Sequence, residues 1–460
     1  MCLCSTDLKT LENKVVARAS TLTLSREEQL RQERSRQMAS GITSYCQGHD
    51  GTAQLVALHG SLFLLQGADV SMRSCFNADS IGNAGGGGAS GPSDQALLDP
   101  QLWRDKVSFV LDNDVYYVAV DRRGSTNLAD WAFSEAKRVT YSRPGTSCGL
   151  ADFLAMEEMD TYRGYWFLPN SLAFLEVDDS HIEEFTISHS GSDHPTGQQG
   201  EETHRYPFAG KANPKVRLGI VDLGSDQLGN WDRARWYRGP AGCDCYLARV
   251  NTVGNLVFTQ WQNRPQSRLS LCCHDSSKDG DCQVLLTEET EVWINLHHMF
   301  RVIHKDESGK ITFLWASERS GFMHLYLYSW TAGSGEAARL LRQVSGGDYV
   351  VESVVGVDNS NDEVYFTGNY GSAIEKHLLK AELGAKRQAG QGDGSGDDHP
   401  QVQVLTKQWS GVHNVVMDSN CEYIVDAHSA LGERGVGMEF ACLIECEKGW
   451  TVFRLDSLLN

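Results

Sequence analysis

The chain has 460 residues, 41% hydrophobic and 22% charged, which is the composition of a folded globular protein and excludes a disordered one. Its 41 lysines and arginines against 60 aspartates and glutamates leave a net charge of −19. That charge repels a phosphate backbone and an anionic membrane surface alike, so neither nucleic acid nor membrane is expected as a partner, whereas a cationic ligand is attracted.

Residues 1–24 read as an N-terminal tail. Met1–Val15 has no uninterrupted apolar run and carries Asp7 and Glu12, so it does not have the pattern of a secretory signal. No stretch anywhere approaches the roughly 18 apolar residues of a membrane span. A cytoplasmic location is therefore expected. The 13 cysteines are an odd number, which favours reduced thiols over a disulfide framework. Cys243/Cys245, Cys272/Cys273 and Cys442/Cys446 lack the spacing of zinc knuckles, so neither a metal nor another cofactor is expected.

Ser25-Arg26-Glu27-Glu28 has the pattern of a capping box and opens a short helix that ends before Gly41. Beyond it the signal changes to β-branched and aromatic runs separated by turn residues: Val107–Val120, Leu172–Ile187, Leu247–Leu271, Ile311–Trp330 and Val350–Leu383. Asp112-Asn113-Asp114, Gly321 and Asp358-Asn359-Ser360-Asn361 mark hairpin turns within these runs. A hairpin-pair unit recurring every roughly 40 to 50 residues is the period of a propeller blade. The fold class is thus all-β, a β-propeller of seven to eight antiparallel blades spanning residues 25–430. Gly82–Pro92, His189–Thr203 and Arg387–Pro400 are rich in small and polar residues and read as flexible insertions.

Two segments could carry chemistry. Gly145-Thr146-Ser147-Cys148-Gly149 matches the G-x-S-x-G pattern, but that elbow requires a strand-to-helix turn in an α/β sheet. Ser147 lies among antiparallel hairpins, so no catalytic residue is assigned. Ala151–Trp166 is more informative: a short helix is expected over ADFLAMEEMDTY, carrying the adjacent carboxylates Glu157 and Glu158. Two neighbouring carboxylates repel unless a cation lies between them, and an α-ammonium group is one such cation.

From Glu157 to Trp166 the sequence resembles the double-glutamate motif of the dipeptidyl peptidase IV family, within its N-terminal β-propeller. Further similarities follow in the family's order. They are Gly41–Tyr45, Arg205–Val216, Trp315–Phe322 with His324-Leu325-Tyr326, Val364–Thr367, and His413 with Asp426–Ser429. The resemblance implies that the glutamate pair projects on a small helical excursion and grips the free amino terminus of a peptide. It also implies a propeller arginine that holds the peptide carbonyl, for which Arg36 is the nearest match and Arg34 its rival. Family members continue into an α/β-hydrolase domain. No segment after His428 resembles a nucleophile elbow and residues 431–460 diverge, so the catalytic domain is expected to be absent and the chain inactive alone. The implied role is a substrate-gating propeller binding peptides with a free N-terminus, partnered by a hydrolase domain or by a second copy as a homo-oligomer. The alternative is a non-catalytic interaction scaffold.

Overall fold

The structure, a computed structural model, describes residues 2–6, 13–18, 45–48, 51, 53–58, 61–66, 73–77, 97–188, 201–224, 234–240, 245–278, 282–384, 400–406, 410–430, 439–446 and 449–455. The helix expected before Gly41 lies outside these residues, as do Arg34, Arg36 and most of the three expected insertions.

The described chain is all-β, with one α-helix, Phe153–Glu158, and one 3-10 turn, Leu128–Asp130. It divides into two compact units, residues 1–265 with 269–282 and residues 266–268 with 283–460. The first unit holds three antiparallel sheets of four or five strands, followed by the meander that begins at Cys245. The second opens with the strand Gln283–Glu289 and continues in three four-stranded antiparallel sheets. These up-and-down sheets are the blade units that the turn spacing predicts.

The predicted turns are formed, with one shift. Leu111 pairs with Asp114, so the turn is Asp112-Asn113 alone, both left-handed at φ 50° and 64°. That is the backbone of a two-residue hairpin turn, which asparagine and aspartate tolerate. Asp114 is instead fully buried, where its carboxylate accepts from Arg138, Thr140 and Ser142. Gly321 turns the chain between Lys310–Ser317 and His324–Thr331. Asp358 accepts from the backbone N–H groups of Ser360 and Asn361 to close the third turn.

Two ribbons stand apart from the sheets. Cys2–Thr6 pairs with Asn13–Arg18, within the stretch read as a tail. Glu184–Ser188 pairs with Glu201–Arg205, which corrects the reading of residues 201–203 as loop and of Leu172–Ile187 as one run. The alternation of polar and apolar residues in Glu184-Phe185-Thr186-Ile187-Ser188 suits a strand with two different faces.

The sheet that carries the helix has an unusual edge. Its strand Ser171–Asp178 pairs along its whole length with Lys215–Asp222. On its other side two short strands lie end to end, Thr146–Cys148 opposite Val177 and Tyr165–Phe167 opposite Ala173. Between them Leu175 continues the ladder, accepting from Gly149 N–H at 2.9 Å and donating to Gly164 O at 2.8 Å. The two pieces are therefore halves of one edge strand, and residues Leu150–Arg163 leave and re-enter it without a change of register. Gly149 at φ 81° and Gly164 make the close approach possible, because a Cβ on Gly164 would fall 2.4 Å from the Gly149 carbonyl carbon. Cys148, Tyr165 and Phe167 anchor the two halves in one core with Val110, Val115, Leu172 and Phe174. The Tyr165 hydroxyl, fully buried, donates to Asp99 O and accepts from Ser108.

Gly164→Ala is expected to cost about 1–3 kcal/mol, because backbone must move to admit the methyl group. Gly224→Ala, whose Cβ would meet open space, is expected to stay within about 0.5 kcal/mol. Urea unfolding of both variants checks the difference.

Candidate functional site

The excursion rises from the pinch at Gly149 and Gly164, with its base closed by a bridge between Leu150 and Arg163. Asp152 caps the helix, its carboxylate accepting from Ala155 N–H at 3.1 Å. Burial raises the Asp152 carboxyl above its ordinary range, while the backbone N–H groups of Ala155 and Leu154 oppose the rise. Ala155 and Met159 face inward. The helix ends when Asp160 turns left-handed at φ 51°, and the N–H groups of Met159 and Thr161 both return to Ala155 O.

The helix exit is fixed by a residue far along the chain. Buried Arg249 donates from Nη1 to Met159 O, Thr161 Oγ1 and Ala248 O, each at 2.7 Å. Thr161 Oγ1 in turn donates to Ala248 O at 2.9 Å. Desolvation pulls the Arg249 guanidinium below its ordinary value, and Asp160 acts in the opposite direction. On the other flank Phe153 meets the Tyr206 ring edge-on at 5.3 Å, and Tyr206 and Phe185 each meet Phe208. The motif segment Arg205–Val216 thus serves as a packing wall. Arg205 ties it to Glu184, and Asn213 Nδ2 donates to the Tyr246 hydroxyl at 3.1 Å.

Glu157 and Glu158 occupy the last turn of this helix, Glu157 half-buried and Glu158 exposed. Neither makes a side-chain hydrogen bond or ion pair with another described residue. Residues 151–160 contain four carboxylates and no basic side chain. The C-terminal end of a helix carries partial negative charge from its free carbonyls, so two anions there are electrostatically unfavourable. A cation with several N–H donors placed against the pair would relieve that repulsion.

Other residues singled out in the sequence have different places. Ser147 is in the middle of a regular ladder, paired with Val177, so its backbone is not a nucleophile elbow. Glu318 accepts from Asn295 at 3.0 Å and lines a pocket of about 390 Å³ in the second unit with His297, Arg301 and Met323. Cys245 is disulfide-bonded, a departure from the expected reduced thiols, while seven other described cysteines are free. The Arg249 clamp was missed by sequence reasoning; its only trace is an arginine in an otherwise apolar strand start, Tyr246-Leu247-Ala248-Arg249-Val250.

The described chain is thus a succession of antiparallel blade sheets with an acidic helix inserted into the edge strand of one of them. Residues 92–433 match the family described as the dipeptidyl peptidase IV (DPP IV) N-terminal region, and the chain belongs to that family. It is 26% identical to dipeptidyl peptidase 8 of Mus musculus over 88% of this chain and 49% of that protein. Identity to dipeptidyl peptidase 8 of Homo sapiens is 25%, over 77% and 45%. Identity to inactive dipeptidyl peptidase 10 of Mus musculus is also 25%, over 59% and 33%. The chain spans about half the length of the first of these curated relatives. No helix among the described residues is long and apolar enough to cross a membrane.

Arg249→Met leaves the Met159 carbonyl and the Thr161 hydroxyl without their donor, an expected loss of about 1–3 kcal/mol. Hydrogen exchange should quicken at the Met159 and Thr161 amides and stay unchanged at Leu175. Asp152 gives a pH-dependent test. Its folded-state carboxyl is raised, so its charge is a cost at neutral pH that disappears once the side chain is protonated in both folded and unfolded states. Asp152→Asn keeps the cap and is expected to match or exceed the wild type near pH 7, an advantage that shrinks toward about pH 3. Asp152→Ala should lose about 1 kcal/mol at both. Urea midpoints at the two pH values measure the effect.

Proposed function

We propose that this chain is the substrate-gating propeller of a dipeptidyl peptidase IV-like serine exopeptidase and that Glu157 and Glu158 receive the free amino terminus of a peptide. The observation that carries the reading is the pair's setting. Two carboxylates without a counter-ion among the described residues stand at the negative end of a helix whose start, exit and base are each tied down by specific bonds. An α-ammonium group has three donors and a unit positive charge, which suits two neighbouring carboxylates. Held at a fixed distance from a nucleophile, the amino group would measure off a dipeptide. In this reading hydrolysis belongs to an α/β-hydrolase region outside the residues 25–430 assigned to the propeller. A cytoplasmic location is part of the proposal, supported by the predominance of free thiols among the described cysteines. The partner in this proposal is that hydrolase region or a second copy of the chain.

A second reading, a non-catalytic interaction scaffold, is favoured by the similarity to a relative whose name describes it as inactive. The two readings differ in what binds. In the first, an Xaa-Pro peptide with a free amino terminus binds with a Kd on the order of 1 mM, since an exposed ammonium contact contributes only about 1 kcal/mol. Its N-acetylated twin and the Glu157→Gln/Glu158→Gln variant should bind roughly fivefold more weakly in an NMR titration. Equal binding of the acetylated peptide, or an unaffected double variant, removes the amino-terminus reading and leaves the scaffold.

A further inference from the structure

The second unit contains a cluster of potential metal ligands that includes no cysteine. Strands Val412–Met417 and Tyr423–Ser429 run antiparallel, with His413 opposite His428 and Val415 opposite Asp426. Directly opposed residues share a face of the sheet, as do residues two apart on one strand. His413, Asp426 and His428 therefore project to the same side. One potential ligand atom from each lies within 4.8 Å of those of the other two. His413 and Asp426 are buried, at 0% and 1% exposure, and His428 is half-buried.

Within the cluster, His413 Nδ1 and Asp426 Oδ2 are 2.6 Å apart and share a proton. The His413 and His428 rings lie 5.1 Å apart. The second carboxylate oxygen, Asp426 Oδ1, is buried without a hydrogen-bond partner among the described residues. A buried carboxylate oxygen left in this way is costly unless a positive charge meets it. The neighbouring sheet adds a wall: Lys376 O accepts from His413 N–H at 3.0 Å, and the His377 ring lies 5.5 Å from that of His413. His377 itself is engaged with Thr406 and Glu375.

We propose that His413, Asp426 and His428 bind a divalent transition-metal ion, zinc foremost, which staples the two strands together. Two imidazoles and one carboxylate are the ligand set of a borderline metal, whereas calcium and magnesium prefer oxygen alone. The ion takes the place of the proton shared by His413 and Asp426 and supplies the charge that Asp426 Oδ1 lacks; the displaced proton leaves to solvent. The proposal does not depend on the role of the glutamate pair.

The test uses the full chain, freed of metal with a chelator, dialysed, and titrated with zinc chloride by calorimetry. In parallel, cobalt(II) chloride reports nitrogen coordination through its visible absorption. The expected result is one ion per chain, a raised thermal midpoint with zinc, and binding at least about tenfold weaker in His428→Ala and in Asp426→Asn. His304→Ala, on an exposed position of the same unit, should leave binding unchanged. Near-UV circular dichroism of the metal-free variants separates lost ligation from lost fold. The wild-type cobalt spectrum is a readout that needs no variant. Absence of zinc binding, absence of nitrogen-ligated cobalt, or unchanged affinity in both folded variants overturns the proposal.

Discussion

The candidate site depends on one peptide unit's worth of hydrogen bonding at Leu175. Its carbonyl and its N–H hold Gly149 and Gly164 side by side, so a strand that has been interrupted still pairs as one strand. Had the register slipped by one residue across the gap, Tyr165 and Phe167 would have exchanged faces with Trp166, and the buried tyrosine would have been lost from the core. A Cβ on Gly164 would strike the Gly149 backbone and hold the two halves apart, and one on Gly149 would strike the Val115 side chain beneath them. The helix can therefore stand out from the sheet while its base stays inside the sheet's own hydrogen-bond pattern.

Above that base the excursion is held by bonds of very different reach. Asp152 acts within its own helix, the aromatic wall of Tyr206 and Phe208 comes from the following ribbon, and Arg249 comes from a strand some 90 residues onward. The helix is far too short to be stable alone, since about 12 to 15 residues are marginal even for good helix formers. It exists because these bonds exist. The carboxylates of Glu157 and Glu158 at its end make no such bond with another described residue, in contrast to the constrained scaffold that carries them.

Legibility in the sequence followed the reach of the interactions. Turns at Asp112-Asn113, Gly321 and Asp358 were readable because a turn's demands fall on adjacent residues, and a helix was readable over residues 151–162 from its apolar residues, although the structure forms it only over Phe153–Glu158. Asp114 was grouped with the turn because its type is that of a turn-former; only the arrival of Arg138, Thr140 and Ser142 from further along makes it a buried acceptor. Residues 201–203 looked like loop because polar composition hides a strand whose partner lies across an insertion. Arg249 and the His413, Asp426 and His428 cluster share one reason for escaping notice: their partners are set by strand pairing and tertiary contact, not by spacing along the chain.

Because the excursion departs from and returns to the same point of the ladder, its length is not fixed by the register of the sheet beneath it. The entropy of closing such a loop grows only slowly with the number of residues in it. Insertions between Leu150 and Arg163 would consequently leave the ladder's register intact so long as the glycine pair remains, whereas exchanges at Asp152, Met159 or Thr161 give up the bonds that hold the helix. A blade with a strand split in this way is a socket, able over evolutionary time to accept differently charged inserts while the surrounding architecture stays constant.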